Sequence, residues 1–167
     1  MNWEAFGAIA EFLGGGAVVV SLIYLALQAR QSAQLERSEN YGRIVEVIAH
    51  AISKLSTNRD LTELVIAGSV ALDELDETDR VRFSFVMFEI FGNYEFVYEQ
   101  SREKALPDHV WPHYLQHLEY WASMPGVRDW WKSRRAVFSA GFMEAAAGAF
   151  EKPGFSKTEA REVWRNF

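Results

Sequence analysis

Apolar positions fall into two regimes along the chain. Residues 12–27 carry no charge, and between residues 5 and 29 Glu11 is the only charged side chain. This run predicts a helix of about 25 residues, long enough to cross a ~30 Å hydrocarbon layer with some tilt. Two other readings compete with a span. A cleaved signal peptide needs a basic start and a small-x-small cleavage site, whereas the segment before the run holds Glu4 and no lysine or arginine. A buried core helix is the other, and Glu11 with the glycines Gly14, Gly15 and Gly16 weakens a plain hydropathy argument for a span. Arg30 and Arg37 follow the run, which directs the remainder to the cytoplasm and the N-terminus outside, with Trp3 and Tyr24 near the two interfaces.

Beyond the run every strong pattern has helical period. Ile44, Ile48, Ala51, Ile52 and Leu55 recur at helical spacing, and Ser56, Thr57 and Asn58 read as a stop and a new cap before Leu61, Leu64 and Val65. The acids Asp73, Glu74, Asp76, Glu77 and Asp79 precede an apolar helix over residues 76–103, where they complement its dipole and cap its first amides. That helix is apolar on almost every face and is expected to be central, packed by the others. Asp108 is expected to cap the next helix, with Pro112 in its first turn. Pro125 and Gly126 mark a turn before a helix carrying Trp130 and Trp131. After Pro153 and Gly154 a short tail helix has Ala160, Val163, Trp164 and Phe167 along one edge, free to fold back or to bind a partner protein.

The predicted fold is therefore all-α: an N-terminal transmembrane helix (1–31) continuing into a cytoplasmic bundle of five or six helices (32–152), then a short helix or tail (153–167). A length of 167 residues suits one domain with an appendage. The net charge of -6 and scattered basic residues, with only Lys132, Arg134 and Arg135 clustered, argue against nucleic acid as a partner. The absence of cysteine excludes disulfides, thiolate nucleophiles and zinc-thiolate sites.

Within the apolar run, Gly7, Ala10, Gly14, Ala17, Ser21, Tyr24 and Gln28 follow alternating spacings of three and four. Small residues allow the close backbone approach on which helix association in lipid relies. The chain has no second comparable run, so the expected partner is another copy, and the stripe continues in the same rhythm through Gln31, Leu35, Ser38, Gly42, Val45, Ala49 and Ile52. A carboxylate at membrane depth is costly. Glu11 either reaches the outer interface, stays protonated, pairs with an accessory protein, or forms a cation-attracting ring in an ion-conducting oligomer.

The pattern NWEAFGAIAEFLGGGAVVVSLIYLALQARQ, with Arg37, Tyr41 and a late W-W pair, resembles a widespread group of small uncharacterised bacterial membrane proteins that open W-E-x-x-G-A-I-x-E-x-x-G and continue into Y-L-A-x-Q-x-R-Q. The likeness covers nearly the whole chain and is most specific over residues 3–31. It implies a bacterial inner-membrane location and a one-span anchor, and it transfers no activity or site residue.

Chemistry-bearing candidates in the cytoplasmic part are few. Glu89 and Asn93 lie one turn apart and, if buried, need partners such as Arg82 or a histidine. His109, His113 and His117 share one face at i, i+4 spacing. The outer two are ~12 Å apart by rise, so at most an adjacent pair can hold one metal ion. No nucleophile elbow, phosphate loop, dinucleotide loop or zinc-protease motif is present. The sequence thus reads as a non-catalytic, homo-oligomeric interaction or accessory protein of the lipid bilayer, without a cofactor. Its alternatives are a Glu11-lined ion conductor and a metal-binding helical enzyme.

Overall fold

The computed structural model describes the backbone of residues 3–166 and the side chains of residues 14–166. It forms two compact units, Met1–Glu39 and Asn40–Phe167, joined through one helix, α1 (Trp3–Thr57). Among the described residues no helix is long and apolar enough to cross a membrane. Gly7, Ala10, Glu11 and the first two side chains of the uncharged run lie outside the described side chains. In the described part of this unit the large apolar residues are exposed, among them Val20 at 67% and Tyr24 at 65%.

The second unit is all helical, as expected. The break at residues 56–58 falls where the sequence places it: α1 ends at Thr57, and the Asn58 side chain accepts the Leu61 amide at 3.1 Å to open α2 (Arg59–Val70). A 3₁₀ turn, Leu72–Glu74, leads into α3 (Glu77–Arg102), which Asp76 caps through the Asp79 amide at 2.8 Å. The remaining helices are α4 (Val110–Ser123), α5 (Pro125–Arg134), α6 (Ala140–Glu151) and α7 (Lys157–Arg165).

Some local expectations need correction. The N-cap of α4 is His109 rather than Asp108, and its side chain makes no capping bond; Pro112 does lie in the first turn. Pro125 is not a turn residue but the first residue of α5, where its missing amide costs nothing. α3 buries one stripe, Phe83, Met87, Phe91, Tyr94 and Val97, while Phe85 is 68% exposed on the opposite face, so the helix is not enclosed on all sides. Its aromatic richness concealed a conventional two-faced helix.

The core gathers aromatic rings between α3, α5 and α6. Phe91 lies 5.1 Å from Trp130 and 5.2 Å from Trp131, and Trp131 stacks on Phe150 at 4.8 Å. Buried Trp130 donates its indole N–H to Ser84 Oγ at 2.8 Å. These tryptophans serve packing. α5 reaches its place by a close crossing of α2: a Cβ on Gly126 would sit 1.9 Å from the Gly68 carbonyl oxygen, and one on Gly68 would meet the Phe83 ring at 2.3 Å.

The C-terminal helix folds back onto the domain. Ser156 and Glu159 form a capping box, Ala160 is fully buried, and Trp164 Nε1 donates to Ser69 Oγ at 2.8 Å. Lys157 pairs with Asp73 at 2.8 Å and Arg161 with Glu74 at 3.3 Å, so part of the acidic cluster holds α7 rather than capping α3. These ion pairs are exposed and contribute little beside the apolar contacts.

Two glycine substitutions separate crowding from propensity. Gly126→Ala forces α2 and α5 apart and should cost several kcal/mol, on the scale of overpacked cores. Gly148→Ala, in α6 with nothing within 4 Å of the new methyl, should stabilise by about 0.5–1 kcal/mol. Urea unfolding followed by circular dichroism measures both.

Candidate functional site

The second unit carries an apolar groove outside its main core. The reason is how α1 is attached there. Ile44 packs with Val97, Leu106 and Val110 in a small cluster of its own, and one turn further Ile48 joins it. Past that point the helix is held mainly by polar contacts: Lys54 Nζ to Glu89 Oε1 at 2.9 Å, and the Thr62 hydroxyl donating to the Leu55 carbonyl. Ile52 remains 59% exposed.

The space left beside this stretch has two limbs. The narrow limb, about 290 Å³, lies between Ile48, Ile52, Ile90, Tyr94, Tyr114 and Trp121. The wide limb, about 800 Å³, is lined by Leu55, Val65, Ile66, Tyr120, Trp121 and Trp164. They adjoin across Ile52, Leu55, His117 and Trp121, which line both. Neither lining contains an aspartate, glutamate, lysine or arginine. Such a wall, apolar with a few hydroxyl and imidazole groups, suits an uncharged or weakly polar guest.

Three tyrosines border the groove, and burial raises the pKa of each hydroxyl. Tyr94, 9% exposed, is pushed well above the ordinary tyrosine value by desolvation, then by nearby Tyr114, with a hydrogen bond from Trp121 opposing the shift. Tyr114 and Tyr120 are raised by burial as well. Tyr120 lines the wide limb, but its hydroxyl is shielded from solvent and has no hydrogen-bond partner.

The residues singled out in the sequence are distributed unevenly around this groove. His113 and His117 come together, ring centroids 4.8 Å apart, and both stand exposed along its edge. His109 sits apart at the start of α4. Among the described residues no group of three or more histidines, cysteines or acids is placed to hold a metal. Asn93 lines the narrow limb, but Glu89 is exposed and takes Lys54 as its partner, so the two do not form a buried polar pair; Arg82 goes instead to Asp60 and Asp79. Of the small-residue stripe, Gly14, Ala17, Ser21, Tyr24 and Gln28 are all exposed, and Ser21 donates its hydroxyl back to the Ala17 carbonyl at 2.8 Å. Tyr120, Trp121 and Trp164 were legible only as packing residues, because a groove assembled from helices remote in sequence leaves no local motif.

No protein-family model, curated protein or solved structure matches this chain. The resemblance to small bacterial membrane proteins therefore rests on the sequence pattern alone.

The raised Tyr94 pKa fixes the sign of an alkaline effect. The unfolded chain releases this proton at the ordinary value near 10, the folded chain only above it, so stability is full below pH 10 and falls as pH climbs from there towards the raised value. The slope from this one group approaches 1.4 kcal/mol per pH unit. Tyr94→Phe should flatten the loss of stability between pH 10 and 11.5 in denaturant titrations.

Proposed function

We propose that this protein is a membrane-anchored, non-catalytic interaction module, its α1 helix serving as a bacterial inner-membrane anchor and its helical second unit presenting a binding surface in the cytoplasm. The observation that carries this reading is the distribution of side chains on α1. Val18, Val19, Val20, Leu22, Ile23, Leu25 and Leu27 cover roughly 220° of the helix circumference and all are exposed, while Ala17, Ser21, Tyr24 and Gln28 fill the remaining sector. An uncharged helix with so wide an exposed apolar face requires an apolar surround, and none of the described residues of its own unit supplies one. The described uncharged residues, 14–29, are fewer than the roughly 20 that a crossing needs. The reading takes the preceding turns, helical in backbone from Trp3, into the span. Arg30 and Arg37 support its orientation.

Assembly into a homo-oligomer is part of the proposal. Around Gly14, Gly15 and Gly16 there is no atom within 4 Å of where a Cβ would stand, leaving the backbone open to close approach by a second helix. A non-catalytic role agrees with a groove whose lining offers no carboxylate, ammonium or guanidinium group.

Alkaline carbonate extraction of membranes tests the anchor: the full chain should stay in the pellet. Ile23→Arg, which adds about 3 kcal/mol to insertion, should move it to the supernatant. Release of the unsubstituted chain overturns the anchoring. Gly14→Leu with Ala17→Leu should abolish crosslinked oligomers in membranes, and undiminished crosslinking removes this stripe as their cause.

A further inference from the structure

We infer that the exposed turn at the end of α5, together with the exposed side of α3 around Phe85, is a contact surface for an anionic lipid bilayer. The inference goes beyond the anchoring reading, which brings the same chain to a bilayer but supplies none of these residues. Three observations select this partner.

The first is unspent positive charge. Residues 132–137, Lys-Ser-Arg-Arg-Ala-Val, are all exposed. Arg134 reaches only the Ser133 carbonyl oxygen at 3.4 Å, and Arg80 donates to the Leu75 carbonyl oxygen at 2.8 Å. Among the described residues neither they nor Arg135 form an ion pair. The acids on this side are Glu77, which lines the same hollow as Arg80 and Arg134, Asp129, which Lys132 neutralises at 3.1 Å, and Glu151, which shares a second hollow with Arg128, Lys132 and Arg135. Cations therefore outnumber acids on both sides of α5.

The second is what accompanies the charge. Complementing the α5 dipole accounts for Lys132 and Arg134 in its last turn, but not for exposed apolar groups beside them. Phe85 is 68% exposed and Val137 65%. Val81 and Phe85, one turn apart on α3, line an open hollow of about 310 Å³ with Arg80 and Arg134. Apolar groups set among long basic side chains match the headgroup zone, where the former enter the acyl boundary and the latter reach the phosphates. These side chains project rather than line a closed pocket, which suits a fluid layer better than a shaped partner. The third is contrast with the rest of the chain. A net charge of -6 is repelled by an anionic surface, so only a face with cations in excess can approach one.

The chain has no cysteine, so Ala136→Cys, at an exposed position, gives a single thiol for a polarity-sensitive fluorophore. Full-length labelled protein is reconstituted in nanodiscs of phosphatidylcholine alone and in discs that also contain phosphatidylglycerol. The expected result is blue-shifted emission in the phosphatidylglycerol discs only, reversed by high salt. Each basic residue near an anionic surface contributes about fivefold to binding, so Lys132→Gln with Arg134→Gln and Arg135→Gln should abolish the shift. Phe85→Ser, at an exposed position, should diminish it without a change in helicity.

A label that stays in water in both discs, with the chain still incorporated, overturns the surface and leaves the anchor standing. A chain that elutes free of phosphatidylcholine discs overturns the anchor; its retention by phosphatidylglycerol discs then supports the surface alone, and free elution from both removes the two together. An equal shift in both lipids, or one unmoved by the triple substitution, overturns the role of charge. A shift produced by poly-glutamate in phosphatidylcholine discs assigns the face to an acidic protein, and one that requires two copies per disc assigns it to a second copy.

Discussion

The crossing of α2 over α5 governs how the helical unit is organised. Only hydrogen at position 126 lets the two backbones approach so closely, since a methyl there would overlap the Gly68 carbonyl, while the bare Gly68 makes room for the Phe83 ring of α3. The approach seats Trp130 and Trp131 against Phe91 and beneath Phe138 and Phe150, making one aromatic mass from α3, α5 and α6. Burial of rings this large dominates the energetics of so small a unit. α7 is then drawn in by Ala160 and by the Trp164 to Ser69 bond, Ser69 being the residue next to the crossing glycine.

A core so placed leaves the end of α1 at its margin. That stretch has its own small anchorage at Ile44 and an exposed ion pair at Lys54, and Ile48, Ile52 and Leu55 line space that the domain does not fill. The groove is thus a consequence of where the aromatic mass lies. Its bordering tyrosines are protonated in the neutral range as any tyrosine is, and desolvation raises their pKa further, so the walls stay uncharged into the alkaline range.

Much of this architecture could be read along the chain. Asn58 and Asp76 announced two helix starts because a side-chain oxygen placed before an apolar period has one dominant use. The tryptophan pair announced core, for the same local reason. What stayed hidden depended on distance in sequence. On so aromatic a helix Glu89, if buried, needs a partner such as Arg82 or a histidine, yet the helix turns it outward to Lys54, 35 positions away. Asp73 and Glu74 looked like helix-capping acids, and they bind the basic residues of a helix more than 80 positions later. The groove was invisible for the same reason: its walls come from five helices and no motif links them. His113 and His117 at its edge were noticed, but for metal chemistry, since spacing alone cannot show which neighbours a side chain will meet.

The central claim is that the groove lies outside the rigid core, with one wall only lightly held. Hydrogen–deuterium exchange of the full chain, read peptide by peptide, tests it most directly. Residues 87–94 and 127–131 should be the most protected, with residues 48–55 exchanging far faster. Protection of residues 48–55 equal to that of the core, with no guest present, would contradict the account, because it would mean that the end of α1 is part of the core and the groove is not free to receive anything.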